Sequence, residues 1–157
     1  MIKAIVSDFS RVLLFPKDKN YRDSLNVLHK ELSQKSHYNA LDYFELDMDL
    51  LDFYKSLKDK APVYLFTSDT IKDAPEFQPY LQPVFAGILS AKKMNTDKKI
   101  PEAYTLVAAQ IHLNPDEILY IDDAPENIQA AKIAGVNTFL YEDYEKLLNQ
   151  VREALNS

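Results

Sequence analysis

Short apolar runs spaced along the chain predict the strands of a sheet. They cover residues 4–6, 62–66, 118–121 and 136–140, with a further run at 84–89. The main runs show no alternation of polar and apolar residues, which is typical of strands buried on both faces of a parallel sheet. A further apolar group at 12–14 follows a break, and residues 15–20 are predicted to form a loop because they contain Pro16 and are polar after Phe15.

Between these runs, apolar residues recur at helical spacing. The pattern predicts helices at 21–35, 47–59, 101–112, 125–134 and 142–155, with an irregular or broken helix at 69–82 and a lysine-rich loop at 91–99. Asp47 is a suitable N-cap for the second helix, and Gly135 suits the C′ position that ends the fourth. Strands that alternate with helices predict an α/β fold with a parallel sheet and right-handed crossovers.

Composition narrows the possible functions. The length of 157 residues suits one domain with a real core, and no apolar run approaches the roughly 20 residues that would span a bilayer. The net charge of -6 without a basic cluster disfavours binding to nucleic acid or to an anionic membrane. The absence of cysteine excludes thiolate chemistry and favours a cytoplasmic location. With only two glycines, the chain has no glycine-rich phosphate loop.

Polar residues follow three of the apolar runs at the point where each run ends. They are Asp8, Thr67 with Ser68, and Asp122 with Asp123. Lys98 and Lys99 come just before the helix that begins at Pro101. Because the carboxyl ends of parallel strands share one edge, we expect these side chains to lie close together. Carboxylate oxygens are the ligands that Mg²⁺ prefers, and a hydroxyl with an ammonium would hold phosphate oxygens. The sequence therefore predicts a site that binds Mg²⁺ together with a phosphate group.

Four segments, in this order, resemble the motifs of the haloacid dehalogenase superfamily, the aspartate-nucleophile phosphohydrolases. The first motif, a strand followed by Asp, any residue and usually a second Asp, corresponds to Asp8-Phe9-Ser10. The second, a strand ending in Thr or Ser, corresponds to VYLFT at 63–67, and the third, a lysine before a helix, to KKIP at 98–101. The fourth, a strand ending in paired acids, corresponds to ILYIDD followed by APENIQAAKIAGV. The resemblance covers residues 2 to about 141.

The resemblance implies the three-layer Rossmann-like fold of that superfamily, a central parallel sheet flanked by helices, and a role for each matched residue. Asp8 would be the nucleophile that forms an aspartyl-phosphate. Thr67 and Lys98 would bind the transferred phosphoryl group, with Ser10 and Ser68 also contacting the substrate. Lys98 is preferred over Lys99 because, counted back from Tyr104, it takes the family position.

The resemblance also implies a cofactor and its ligands. Mg²⁺ would be held by Asp8, by the backbone carbonyl of Ser10 and by one or both of Asp122 and Asp123, directly or through water. The partner would be a small phosphorylated substrate, with neither nucleic acid nor membrane involved. The oligomeric state is not predicted by any feature of the sequence.

Two departures from the family pattern leave more than one type of reaction possible. Ser10 stands where phosphatases usually carry the second Asp, which protonates the leaving group and then activates water, and Arg11 replaces the usual glycine. The first hypothesis is a Mg²⁺-dependent phosphatase acting on a phosphate monoester. The alternative is a catalytically weak or inactive relative that binds a phosphorylated ligand or a protein. A haloacid dehalogenase ranks third, because the paired acids favour a metal site.

The spacing between motifs bears on the domain organisation. Asp8 and Thr67 are about sixty residues apart, and the helix before the second strand uses some of these. This leaves too few residues for the full helical cap that covers the site in many relatives. We therefore expect a single core domain over 1–157, with a rudimentary helical cap or insert at about 18–46.

Overall fold

A parallel sheet of five strands forms the centre of the computed structural model, which describes all residues from Met1 to Ser157. The strands of the chain are β1 (Ala4–Ser7), β2 (Leu14–Pro16), β3 (Phe44–Leu46), β4 (Val63–Thr67), β5 (Gly87–Ser90), β6 (Ile118–Asp122) and β7 (Asn137–Leu140). The order in the sheet is β5-β4-β1-β6-β7, and all neighbouring strands are parallel. The predicted α/β fold is confirmed, and β1 is its central strand.

Six α-helices accompany the strands. They are α1 (Leu25–Leu32), α2 (Met48–Ser56), α3 (Gln78–Leu81), α4 (Pro101–Gln110), α5 (Pro125–Ile133) and α6 (Tyr144–Asn156). None of these helices has both the length and the apolar character needed to cross a membrane.

Successive residues of β1 face opposite sides of the sheet, and this alternation divides the core in two. Ile5 packs with buried residues of α1, α2, α3 and α6, whereas Val6 packs with those of α4 and α5. Helices therefore cover both faces, which gives the three layers implied by the family resemblance. β7 lies at the edge of the sheet, and Asn137 and Leu140 at its ends are exposed, so this strand is less buried than its apolar sequence suggests.

Local capping explains where several helices begin and end. Asp47 accepts a hydrogen bond from the backbone N–H of Leu50, as predicted for an N-cap. Ser24 caps α1 in the same way, so this helix begins at Leu25 and is shorter than the predicted span of 21–35. Gly135, with φ of +88°, follows α5 in the left-handed conformation that glycine adopts easily, also as predicted.

A small antiparallel ribbon beside the main sheet was not predicted. β2 pairs with β3, although residues 15–20 were predicted as a loop and 44–46 were assigned no structure. Each strand has only three residues, too few for a period of two to be recognised. The ribbon brackets residues 17–43, which contain α1 and the 3₁₀ helix Ala40–Asp42 and are called the 17–43 segment below.

Candidate active site

The carboxyl edge of the sheet carries a small cavity of about 160 Å³. β1 lies between β4 and β6, so Asp8 comes between Thr67 and Asp122 at the ends of these strands. The cavity is lined by Asp8, Ser10, Arg11, Ser24, Leu25, Asn26, Thr67, Ser68, Ile71, Lys98, Asp122, Asp123, Ala124 and Asn127. All seven residues that the sequence analysis assigned to the site therefore border one cavity.

Lys98 joins two of the carboxylates. Its Nζ donates to Asp8 Oδ1 at 2.8 Å, lies 3.0 Å from Asp122 Oδ2, and donates to the Phe66 carbonyl at 3.2 Å. The Lys98 side chain is only 3% exposed, so these contacts replace its hydration. Lys99 is two-thirds exposed and lies 3.6 Å from Glu126, outside the cavity. Of the two adjacent lysines, the structure thus places Lys98 in the site.

Burial and charge shift the ionisation of the cluster. Burial, with the neighbouring carboxylates, raises the pKa of Asp8 to about 7 even though Lys98 opposes this. Burial and the charge of Asp122 also raise the pKa of Asp123. Burial alone would lower the pKa of Lys98, but its two carboxylate partners raise the pKa above its ordinary value. A buried cluster with three carboxylates and one ammonium has an unbalanced negative charge, which a bound cation would relieve.

Every oxygen of Asp122 already has a donor within the protein. Oδ1 accepts from the Ala124 N–H at 2.8 Å, and Oδ2 accepts from Asn127 Nδ2 at 3.0 Å and from the Tyr120 hydroxyl. Burial would raise the pKa of Asp122, but Lys98 and these donors lower it below the ordinary value. Asp122 is fully buried, whereas Asp123 next to it is half-buried. The two acids of the pair therefore occupy different environments.

The acidic residues fit a divalent cation. Asp8, Asp122 and Asp123 each offer a carboxylate oxygen, and these oxygens all lie within 4.8 Å of one another. Carboxylate oxygens are the hard ligands that Mg²⁺ prefers, and Mg²⁺ commonly binds through one or two carboxylates plus water and substrate phosphate. The donor set of this cavity is thus suited to Mg²⁺.

The hydroxyl residues around the cavity differ in exposure. Thr67 is buried, and its Oγ1 donates to the carbonyls of Asp69 at 3.3 Å and Leu89 at 3.5 Å. Ser68 is exposed and Ser10 is half-buried. All three line the same cavity, which makes them candidate contacts for a phosphate bound there.

Aromatic residues to which the sequence analysis gave no role in the site pack around Lys98. Lys98 Nζ lies 5.3 Å from the ring centre of Phe66 and 5.7 Å from that of Tyr120, both within cation–π range. Tyr104 packs edge-on against Tyr120 and donates its hydroxyl to the Lys98 carbonyl at 2.7 Å. The signal for Tyr120 was its position two residues before Asp122, which puts both side chains on one face of β6.

Arg11 and residues of the 17–43 segment were also given no place in the site by the sequence analysis. Arg11 has φ of +63°, a conformation that glycine adopts without strain and other residues seldom adopt. Its Nη2 donates to the carbonyls of Tyr21 at 3.2 Å and Asp23 at 2.8 Å. These bonds hold the segment against the loop after β1, which brings Ser24 and Asn26 to the cavity wall.

Comparisons with known proteins agree with this fold. A family model for haloacid dehalogenase-like hydrolases matches residues 5–135. Enolase-phosphatase E1 of Aquifex aeolicus is 31% identical over 113 residues, which are 68% of this chain and 46% of that protein. The chain spans less than half the length of the enolase-phosphatases that it matches.

Two solved structures share the fold at low sequence identity. A predicted HAD-like family hydrolase from Porphyromonas gingivalis is 20% identical, with a TM-score of 0.72 over 100% of this chain and 99% of that one. A HAD family enzyme from Bacteroides thetaiotaomicron, in complex with magnesium and inorganic phosphate, is 17% identical, with a TM-score of 0.68 over 94% of this chain and 99% of that one. The match of the family model over most of the chain establishes that this protein belongs to the haloacid dehalogenase-like hydrolase family.

Proposed function

We propose that the protein is a Mg²⁺-dependent phosphatase that hydrolyses a small phosphate monoester through an aspartyl-phosphate at Asp8. The observation that carries this proposal is the buried cluster in which Lys98 contacts both Asp8 and Asp122, with Asp123 beside them at the edge of the cavity. The phosphatase names of relatives such as enolase-phosphatase E1 support the same reaction class.

In the first step, a carboxylate oxygen of Asp8 attacks phosphorus while the bond from phosphorus to the ester oxygen breaks. Asp8 Oδ1 already accepts from Lys98, so we assign the attack to Oδ2. The alkoxide departs with the electron pair of the broken bond and takes up a proton from water to become the alcohol. In the second step, water attacks phosphorus and the bond to Asp8 breaks, which releases inorganic phosphate and restores the carboxylate.

Donors of this chain hold the phosphoryl oxygens during both steps. Lys98 supplies a fixed, buried ammonium, and Thr67 supplies a hydroxyl from the end of β4. Ser68 and Ser10 supply further hydroxyls around the same cavity. Such donors stabilise the charge on the transferring group most strongly where water is excluded, as it is around Lys98.

Asp8, Asp123 and the backbone carbonyl of Ser10 would hold Mg²⁺, with Asp122 acting directly or through water. When bound, the cation screens the carboxylates from the phosphate and so lets two anions approach each other. Asp122 also holds Lys98 and the backbone at Ala124 in place, since its oxygens accept from both.

The proposal extends to the domain organisation and the location. We propose that residues 1–157 form one core domain whose cap is reduced to an insert at about 18–46. In support, that stretch contains one helix, one 3₁₀ helix and the short strand β3, and it lines the cavity with only Ser24, Leu25 and Asn26. A cytoplasmic location is also part of the proposal, favoured by the absence of cysteine.

A second candidate is a catalytically weak or inactive relative that binds a phosphorylated ligand or a protein partner. Ser10 favours it, since a serine hydroxyl cannot replace a carboxylic acid as proton donor near neutral pH. Turnover separates the two candidates, because both would bind phosphate but only one releases it from an ester.

The test is phosphate release from p-nitrophenyl phosphate and acetyl phosphate with millimolar Mg²⁺, using wild type and Asp8→Asn. The amide keeps the shape of Asp8 but loses the attacking oxygen. If the protein is a phosphatase, we therefore expect turnover in wild type and none in Asp8→Asn. The matched control is Asp97→Asn, which changes an acid near Lys98 that does not line the cavity. Absence of turnover in wild type, with phosphate binding retained, would favour the binding protein instead.

A further inference from the structure

The cavity is also lined by hydrogen-bond donors that the proposed reaction does not use. Arg11 and Asn26 both border the cavity, and Arg11 is the only cation there besides Lys98. Lys98 is already engaged by two carboxylates, whereas Arg11 has no acidic partner and donates only to backbone carbonyls, through Nη2. The other guanidinium nitrogens remain available to a ligand.

Asn26 has a side-chain donor with no partner in the protein. Its Oδ1 accepts from the backbone N–H of Ile71 at 3.4 Å, and its Nδ2 donates to no other group of the protein. The amide is therefore anchored by its acceptor side, while its donor side remains free at the cavity wall. Arg11 is anchored likewise, since its Nη2 donates to the carbonyls of Tyr21 and Asp23.

The backbone at Arg11 adds a second observation. A residue other than glycine at φ of +63° costs free energy, and such conformations cluster at functional sites where the surrounding structure enforces them. Glycine would relieve this strain but would remove the guanidinium. The strained backbone therefore occurs at Arg11, whose side chain lines the cavity and holds the 17–43 segment.

From this arrangement we infer that the substrate is a compact phosphate monoester whose leaving group carries a carboxylate, recognised by Arg11 and Asn26. This inference rests on the proposed phosphatase function and names its substrate class. The N–H groups on Nε and Nη1 of Arg11 would donate charge-assisted hydrogen bonds to a carboxylate, and an amide N–H₂ adds a donor but no negative charge. The cavity of about 160 Å³ is smaller than the roughly 300–1,000 Å³ of drug-sized pockets, which favours a leaving group of few atoms.

Two esters with the same three-carbon backbone test the inference, 3-phosphoglycerate and glycerol 3-phosphate, which differ by a carboxylate in place of a hydroxymethyl group. Wild type should favour 3-phosphoglycerate in kcat/KM by about tenfold or more, since a charged hydrogen bond discriminates by that order. Arg11→Gly suits the backbone conformation and should remove most of this preference. Asn26→Asp keeps the acceptor for Ile71 but places a negative charge at the wall, and it should penalise 3-phosphoglycerate more than glycerol 3-phosphate.

Lys99→Gln is the matched control, since it removes a positive charge near the site but outside the cavity, and it should retain the preference of wild type. The inference is overturned if wild type treats the two esters alike, or if Arg11→Gly and Asn26→Asp lower both equally, which would mean that these residues only position the 17–43 segment.

A binding measurement separates this inference from the phosphatase proposal. Calorimetry on Asp8→Asn, with Mg²⁺ present, should give tighter binding of 3-phosphoglycerate than of glycerol 3-phosphate, and Arg11→Gly in the same background should abolish the difference. If wild type hydrolyses neither these esters nor p-nitrophenyl phosphate and acetyl phosphate but this binding preference holds, the phosphatase proposal fails and the carboxylate site stands. If wild type hydrolyses both equally and binding shows no preference, the phosphatase proposal stands and the carboxylate site is refuted.

Discussion

Lys98 Nζ donates to Asp8 Oδ1 at 2.8 Å, although 90 positions of sequence separate the two residues. The same ammonium lies 3.0 Å from Asp122, so one buried cation connects the ends of β1 and β6. The desolvation of these groups is offset only while all of them are present, because each would be an unpaired buried charge without the others. Stability and the proposed chemistry therefore depend on the same contacts.

Replacing Lys98 by methionine should destabilise the protein and stop turnover. Methionine keeps most of the apolar stem but leaves Asp8 and Asp122 without their cation, a change that typically costs about 3–5 kcal/mol when one partner of a buried pair is removed. Urea unfolding should report a lower midpoint with little change in slope. Lys99→Met should shift stability by less than about 0.5 kcal/mol, as surface substitutions usually do. Equal effects of the two substitutions on the unfolding midpoint would show that the buried contacts of Lys98 do not stabilise the protein.

Millimolar Mg²⁺ should raise the melting temperature by several degrees. A ligand at a hundredfold excess over its Kd stabilises the native state by about 2.7 kcal/mol, and the cation also relieves repulsion among the three carboxylates. The shift should vanish in the double variant Asp8→Ala with Asp122→Ala and shrink in Asp123→Asn. Glu126→Gln, an exposed acid in the first turn of α5, should keep the full shift. A wild type that does not respond, or a double variant that responds fully, would count against the metal site.

Tyr120→Phe should weaken both stability and catalysis without disturbing the packing of the ring. The substitution removes one donor from Asp122 Oδ2, and hydrogen bonds to charged groups contribute about 1.5–3 kcal/mol. We expect a loss of that size in unfolding free energy and a lower kcat, because Asp122 in turn holds Lys98. Tyr80→Phe removes a hydroxyl from a tyrosine that is 39% exposed and should be neutral. If Tyr120→Phe were neutral as well, the hydroxyl would be irrelevant to the cluster.

The sequence predicted those parts of the site that depend on local patterns. Asp8, Thr67 and Asp122 each follow an apolar run, and parallel strands bring such ends to one edge whatever the details of packing. Apolar patterns could not separate Lys98 from Lys99, since adjacent residues in a loop have no periodicity, and only the family position counted back from Tyr104 favoured Lys98. The difference between them arises from tertiary packing, because the Lys98 side chain is 3% exposed and the Lys99 side chain is 66% exposed.

The rest of the site depends on contacts between irregular segments. Arg11 reaches Tyr21 and Asp23 because the chain turns back through a left-handed residue, and no apolar pattern marks that turn. Asn26 belongs to a helix that was predicted, but its bond to Ile71 joins segments 45 residues apart in sequence. The ribbon of β2 and β3 was missed for a related reason, because its three-residue strands are stabilised by each other rather than by local propensity.

The last prediction concerns Ser10 and the chemistry of the leaving group. An alkoxide leaves poorly unless a proton arrives in the transition state, and a positioned acid typically supplies about 10²–10⁴-fold in rate. Ser10 occupies the position of that acid in the family pattern, and no carboxyl other than those of the proposed metal ligands lines the cavity. A nitrophenolate or an acyl group needs little protonation to leave. The enzyme should therefore favour aryl and acyl phosphates over sugar phosphates.

Ser10→Asp should then raise turnover of alkyl phosphates more than turnover of p-nitrophenyl phosphate, because only the alkoxide gains from a proton donor. The same carboxylate would activate water for hydrolysis of the aspartyl-phosphate, so a burst followed by a slow steady state in wild type should become a single faster phase. Ser10→Asn, which has a similar shape but no acid, is the matched control and should give no gain. If wild type hydrolyses a sugar phosphate at ordinary rates and Ser10→Asp is neutral or harmful, another group supplies the proton, and Ser10 does not limit the reaction.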